Sequence, residues 1–237
     1  MAENKLPVAV ITGVGPGLGA ALARRFAKGY AIAINARKPD FLRSLAVEIR
    51  GAGGQVLEVP ADIGDPAQTA AMFKAIRERL GAPEVLLYNA GSGSWGTVVD
   101  ITPEQYEKDW RVNALGAFVS AKEVAPDMIP RGRGVMLFTG ATAGVKAGPK
   151  SVSFGPAKFA MRGLAQSLAR DLGPKGIHVA WINVDGAIDI PGRKLGNMTS
   201  EDMLDPDAIA ETYWHLAHQH RSAWTMELEV RPFKEKF

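Results

Sequence analysis

The chain has 237 residues, with 28 lysines and arginines against 25 aspartates and glutamates, for a net charge of +3. The two signs are interspersed without a run of five like charges, the pattern of a solvated surface and not of a nucleic-acid-binding face. The absence of cysteine excludes disulfide frameworks, cysteine-ligated zinc and cysteine nucleophiles. A composition 46% apolar and 22% charged is that of a globular protein, and the 26 glycines exceed the usual share of about 7%, which predicts several tight turns or close backbone approaches. Apolar runs such as Val8-Ala9-Val10-Ile11 are far short of the ~20 residues that span a bilayer. Met1–Lys5 carries no signal-peptide core, so a cytoplasmic protein with no membrane partner is expected.

In chain order, the first predicted strand is Val8–Thr12. It runs into Gly13-Val14-Gly15-Pro16-Gly17-Leu18-Gly19-Ala20 and then a helical stretch. Strand, glycine-rich turn and helix form an arrangement that binds a dinucleotide pyrophosphate, because the turn brings backbone close and the helix N-terminus offers unpaired N–H groups. Two registers fit: Gly15, Gly17 and Ala20, or Gly13, Gly17 and Gly19. The second strand, Ala31–Asn35, is followed by Arg37 and Lys38, and no acid stands at its end. A carboxylate there would select the ribose 2′-OH of NAD, whereas Arg37 can fork onto the 2′-phosphate of NADP, so NADP(H) is expected over NAD(H). The third and fourth strands are Gln55–Val59 and Glu84–Tyr88, and the fourth opens into a loop, Gly91–Gly96, that makes Trp95 a candidate substrate wall. Asp65-Pro66, Thr102-Pro103 and Asp205-Pro206 read as N-cap followed by proline at N1, each starting a helix. The fifth strand is Gly134–Phe138. Met161, Leu164, Ala165, Leu168 and Leu172 make one apolar stripe on the helix Ala157–Leu172. The sixth strand is His178–Asn183, and the seventh, Thr225–Val230, alternates like an edge strand. Trp110, Phe118, Phe138, Phe154 and Phe159 read as mostly core residues, with Phe154 also able to line a substrate site. His215 and His218 share a helix but lack a third ligand of the usual type, so no metal site is assigned. The alternation predicts a single α/β domain over residues 1–237: a doubly wound, Rossmann-type parallel sheet of seven strands with helices on both faces.

These motifs resemble those of the short-chain dehydrogenase/reductase family. Thr12-Gly13-x-x-x-Gly17-x-Gly19 is similar to its cofactor motif, Asp62 to its adenine-contacting acid, Asn89-Ala90-Gly91 to its strand-four motif, Asn113 to its helical catalytic Asn, and Lys158 to the Lys of its Tyr-x-x-x-Lys motif. The resemblance runs from about Pro7 to about Ile190. It implies strand order 3-2-1-4-5-6-7, a homodimer or homotetramer, a substrate lid over residues 187–203, and a small-molecule substrate. It also implies cofactor contacts from Gly13, Gly15, Pro16, Gly17, Leu18, Gly19, Arg37, Asp62, Ile63, Asn89, Ala90, Gly91, Lys158, Gly186 and Ile188. Asn113 and Lys158 are the catalytic candidates.

The chain departs from that pattern. Phe154 stands where the family has its catalytic Tyr, and Ala141 where it has its Ser. Phe154 cannot donate a proton, which typically costs ~10²–10⁴ in rate, and Ala141 cannot hydrogen-bond a developing oxyanion, which costs ~10²–10³. Three readings follow. The chain is an atypical NADP(H)-dependent oxidoreductase acting on an apolar carbonyl or enoyl substrate, with a relocated or substrate-borne proton donor. Alternatively it binds the nucleotide without turnover, or it is a non-catalytic partner subunit. Replacement donors to consider are Thr142, Ser151, Ser153 and Asp185, then Tyr88, Tyr106 and Tyr213.

Overall fold

Seven short β-branched runs pair in parallel in the order β3-β2-β1-β4-β5-β6-β7 in a computed structural model that describes residues 6–235. The segment Met1–Lys5, read above for a signal peptide, lies outside the described residues. The strands are β1 (Val8–Thr12), β2 (Ala31–Ile34), β3 (Val56–Glu58), β4 (Pro83–Tyr88), β5 (Gly134–Thr139), β6 (Ile177–Val184) and β7 (Glu227–Val230). Each predicted strand is present: β1 has the predicted ends, and the others differ at one or both ends by one or two residues. β1, β2 and β6 are buried along their whole length, because helices cover both sheet faces.

One face packs against α1 (Leu18–Phe26), α2 (Pro39–Gly51) and α7 (Pro206–Ala217), through Leu22, Leu45, Ile209 and Tyr213. The other packs against α3 (Pro66–Arg79), α5 (Gly116–Met128) and α6 (Phe154–Leu172), through Phe73, Val124, Met161 and Ala165. The apolar stripe on α6 is therefore used by the protein's own sheet: Met161, Ala165 and Leu172 are buried, with Leu164 and Leu168 packed beside them. The predicted caps form. Asp65 accepts from Ala67 N and Gln68 N, Asp205 accepts from Asp207 N, and Thr102 with Gln105 closes a capping box at α4 (Pro103–Trp110).

β7 is one edge of the sheet, and its two carboxylates are tied down. Arg162 forks onto Glu227, Gln166 adds a bond, and Asn183 donates to Glu229. These contacts blunt an otherwise open ladder. The aromatic reading needs correction. Phe138 is fully buried, but Trp110, Phe118 and Phe159 are 42%, 47% and 43% exposed on the outer faces of α4, α5 and α6. Helix periodicity turns Phe118 and Phe159 away from the buried sides of α5 and α6, and Trp110 lies on α4, which buries only Asp109. Among the described residues, no helix is long and apolar enough to cross a membrane.

Candidate active site

A cavity of about 1050 Å³ opens at the carboxyl ends of β1, β4, β5 and β6. Every residue assigned above to nucleotide contact lines it: the Gly13–Gly19 turn, Arg37, Asp62 and Ile63, Asn89–Gly91, Lys158, Gly186 and Ile188. Phe154, Ala141 and Trp95 line it too. Asn113 does not. It stands behind Gly91, with Oδ1 3.7 Å from where a Cβ on that glycine would lie.

The glycine turn decides between the two registers. Gly13 has φ +68°, and a Cβ there would meet Ala90 N at 2.6 Å. A Cβ on Gly19 would stand 2.6 Å from Val14 Cα and 2.8 Å from Gly13 O. Gly15 has nothing within 4 Å. The register Gly13, Gly17, Gly19 is thus the one that packing demands. The resulting hollow, backbone-lined and open at the start of α1, fits a pyrophosphate.

Side chains lock the strand ends together. Tyr213 Oη lies 2.8 Å from Thr139 Oγ1, which donates to Asn89 Oδ1 at 3.2 Å, while Asn89 Nδ2 donates to Gly13 O at 3.0 Å. Lys158 Nζ, fully buried on α6, donates to Thr139 O at 2.9 Å. Burial pushes the Lys158 ammonium down to about 8, since a low-dielectric site disfavours charge. Phe154 lies one helical turn before it, its ring 5.5 Å from Lys158 Nζ and 5.3 Å from the Trp95 ring. Asn113 sits in a π-helical turn, Arg111–Leu115, between α4 and α5. The extra residue in that turn aims it inward, where Nδ2 donates to Ser92 O at 2.7 Å and Asp109 O at 2.8 Å. Its Oδ1 is buried with no hydrogen-bond partner among the described residues.

Residues 7–191 match the short chain dehydrogenase family. The chain belongs to that family. It is 35% identical over 176 residues to a short-chain dehydrogenase/reductase, eriH, of Hericium erinaceus, covering 72% of this chain and 70% of that one. It is similar to a crystal structure of a short-chain dehydrogenase from Rhodopseudomonas palustris, at 34% identity and TM-score 0.84 over 98% of this chain and 100% of that one. A metagenomic short-chain oxidoreductase in complex with NADP is 28% identical, with TM-score 0.84 over 95% and 97%. A glycine betaine reductase of Emericella nidulans is 27% identical over 238 residues, and the chain spans only 19% of that protein's length.

Within this short-chain dehydrogenase, several of the proton donors considered above are committed elsewhere. Tyr88 and Tyr213 are fully buried, and burial pushes both phenols up. Tyr88 donates to Val112 O. Tyr106 is half-exposed on α4 and does not line the cavity. Ser151 lines it but donates to Gly148 O at 2.8 Å. Thr142 lines it and donates to the Asp185 carboxylate, which Arg231 also pairs. Burial works to raise Asp185, but those bonds and the charge of Lys146 outweigh it, so the carboxyl stays below its ordinary value. As an ionised acceptor, Asp185 draws the Thr142 proton away from the cavity.

Sequence reasoning missed Asp109. This buried carboxylate accepts from Ser92 Oγ at 2.7 Å, Ser94 N at 2.6 Å and Ser153 Oγ at 2.7 Å. It joins the Gly91–Gly96 loop, α4 and the start of α6, and so fixes Phe154 relative to Trp95. Burial works to raise its pKa, but the three bonds outweigh it. Its place one helical turn before Asn113 was the available signal.

Two outcomes follow. Gly19→Ala should destabilise the protein by about 1–3 kcal/mol through overpacking, and Gly15→Ala should stay within about 0.5 kcal/mol. Urea titration checks both, and an equal loss would refute the register. For Lys158, the folded state sheds its proton near pH 8 and the unfolded chain near 10.5, so in between the unfolded state binds more protons and stability rises with pH. Wild type minus Lys158→Met, measured by denaturation between pH 8 and 10, should show that rise. A flat difference would refute the shift.

Proposed function

We propose that this short-chain dehydrogenase is an atypical NADP(H)-dependent oxidoreductase, with Phe154 and Ala141 at the family's Tyr and Ser positions, acting on an apolar carbonyl or enoyl compound. The observation that carries this reading is the convergence of all the assigned nucleotide contacts on one cavity. The Gly13–Gly19 turn would hold the pyrophosphate, Asp62 and Ile63 the adenine end, and Asn89–Gly91, Lys158, Gly186 and Ile188 the nicotinamide half. Arg37 is exposed at the cavity edge, makes no ion pair with a described residue and can take a 2′-phosphate. Bound NADPH would supply hydride.

The chain's own groups set what that hydride can do. Phe154 and Trp95 form an apolar wall of the cavity. Ala141 offers a carbonyl oxygen no donor. Lys158 carries an exchangeable proton close to neutral pH, and Asn113 Oδ1 is an unused acceptor nearby. This arrangement favours reduction of a conjugated C=C bond over that of an isolated ketone: the α-carbon of the enolate left by hydride addition would take its proton from Lys158 or solvent, whereas a ketone oxygen would need the donor that Phe154 lacks. Residues 187–203 are proposed as the substrate lid: Ile188 and Ile190 already lie over Gly17, Ile190 Cγ1 being 2.9 Å from a Cβ built there. Phe154 and Ala141 also favour a second reading, nucleotide binding without turnover.

Calorimetric titration with NADPH and NADH tests the proposal. Arg37→Ala should weaken NADPH about tenfold, the worth of a charge-assisted bond to phosphate, and leave NADH nearly unchanged. Equal losses would remove the NADP preference, and a folded protein that binds neither nucleotide would overturn the oxidoreductase reading. NADPH oxidation with enones but not with simple ketones separates turnover from mere binding.

We also propose that a second copy covers Trp110, Phe118 and Phe159, on helices that pack against one another. Sedimentation should give a dimer or tetramer at micromolar concentration, and Phe118→Glu with Phe159→Glu should give monomers that still bind NADPH. A wild-type monomer would refute it.

A further inference from the structure

Six charged side chains line the cavity, and a single one, Asp62, is a carboxylate. Arg37 and Asp62 stand at the ends of β2 and β3, at the proposed adenosine end, and Lys158 is buried on the floor. Lys146, Lys150 and Arg193 remain. All three are exposed at the mouth, and none forms an ion pair with a described residue. Asp185 feels the charge of Lys146, but its carboxylate is already engaged by Thr142 and Arg231.

The backbones that carry the two lysines are fixed against the aromatic wall. Gly96 pairs with Ser151 in an isolated parallel bridge, and Gly96 N donates to Lys150 O at 2.9 Å, which sets Lys150 beside Trp95. Lys146 N donates to Thr142 O at 2.9 Å, closing the turn that follows β5. Arg193 approaches from the proposed lid, where its N–H donates to Ile190 O at 3.0 Å. Below these cations the walls are apolar: Trp95, Phe154, Ile190 and Leu195. Low-dielectric walls under a rim of one sign focus the field into the opening and concentrate ligands of the opposite sign.

We propose that this mouth binds the anionic end of an amphiphilic substrate, a carboxylate or phosphate carried on an apolar or aryl body that lies between Trp95, Phe154 and the lid. The proposal rests on the cavity being the NADPH-dependent active site argued above. A neutral, wholly apolar substrate would leave the three cations without a role, whereas an acid uses both the wall and the rim. The reacting carbon then lies toward Lys158 and the anion toward solvent.

The test uses the full chain saturated with NADPH and four probes that share one aryl body: 2-naphthoate, 2-naphthyl phosphate, 2-naphthamide and 2-naphthol. Calorimetry should show at least one of the two anions binding about tenfold more tightly than its neutral counterpart, or about 1.4 kcal/mol. Which anion is preferred distinguishes an acid substrate from a phosphorylated one. Lys146→Gln with Lys150→Gln, and separately Arg193→Gln, should reduce the preference without changing NADPH affinity. The proposal is overturned if acid and neutral probes bind alike, if no probe binds, or if the preference survives in the variants. A loss of NADPH affinity in the variants would also overturn it, because the rim would then serve the nucleotide. Failure of NADPH to bind the wild type is a separate result that removes the oxidoreductase reading. The same probe series on the nucleotide-free variants then still reports whether the rim holds the anion.

Discussion

The backbone of Gly13 lies against the backbone of Ala90, and the cavity depends on that contact. β1 and β4 are neighbours, yet the chain leaves β1 toward the α1 face and leaves β4 toward the α5 face. Their carboxyl ends therefore diverge, and a crevice opens where the strand order reverses. A left-handed residue without a Cβ lets the β1 turn fold down beside β4 instead of being pushed off it. Thr12, Asn89, Thr139 and Tyr213 then bind the separated ends through side chains. A side chain at Gly13 would move the Asn89–Gly91 segment and, through Ser92, the residues that hold Asn113.

On the function proposed above, the cavity beyond that crevice divides into a nucleotide half and a substrate half with different physics. The nucleotide half is mostly backbone, with fixed N–H groups and little side-chain entropy to lose. The substrate half is a ring pair with a buried ammonium beneath it and a buried carboxylate behind it. Asp109 is stable as an anion because three donors from two segments satisfy it. Lys158 has one carbonyl acceptor and no carboxylate partner among the described residues, so its charge is held at a cost. That imbalance keeps an ionisable group responsive next to an otherwise apolar wall.

The sheet was legible in the sequence because a strand buried on both faces writes itself as an unbroken apolar run. Its ends were not, since Pro83, Thr139 and Val184 join the ladder through hydrogen bonds that composition does not register. The residues that line the cavity were legible because they cluster in short motifs at strand ends. Which glycines matter was open until the approach of Val14 and Ala90 was visible. Asp109 was not legible, because its donors lie 15, 17 and 44 positions away and a lone aspartate on a helix looks like solvated charge. The outward aromatics misled for the opposite reason: hydrophobicity says that a ring prefers to be covered, but not by which surface.

Residues 187–204 form a loop that is tied at its base. Ile188 bridges Leu204, Asp189 N donates to Leu204 O, and Leu204 N donates to Ala187 O, both at 2.8 Å. α7 starts immediately beyond, capped by Asp205. Because the two ends are clamped to each other, the residues between them are insulated from the sheet. Loop-closure entropy grows only logarithmically, so doubling the length of such a segment costs about 0.6 kcal/mol. Insertions and deletions there can therefore accumulate while the strands and the glycine turn stay unchanged, so the proposed lid can vary at little risk to the fold.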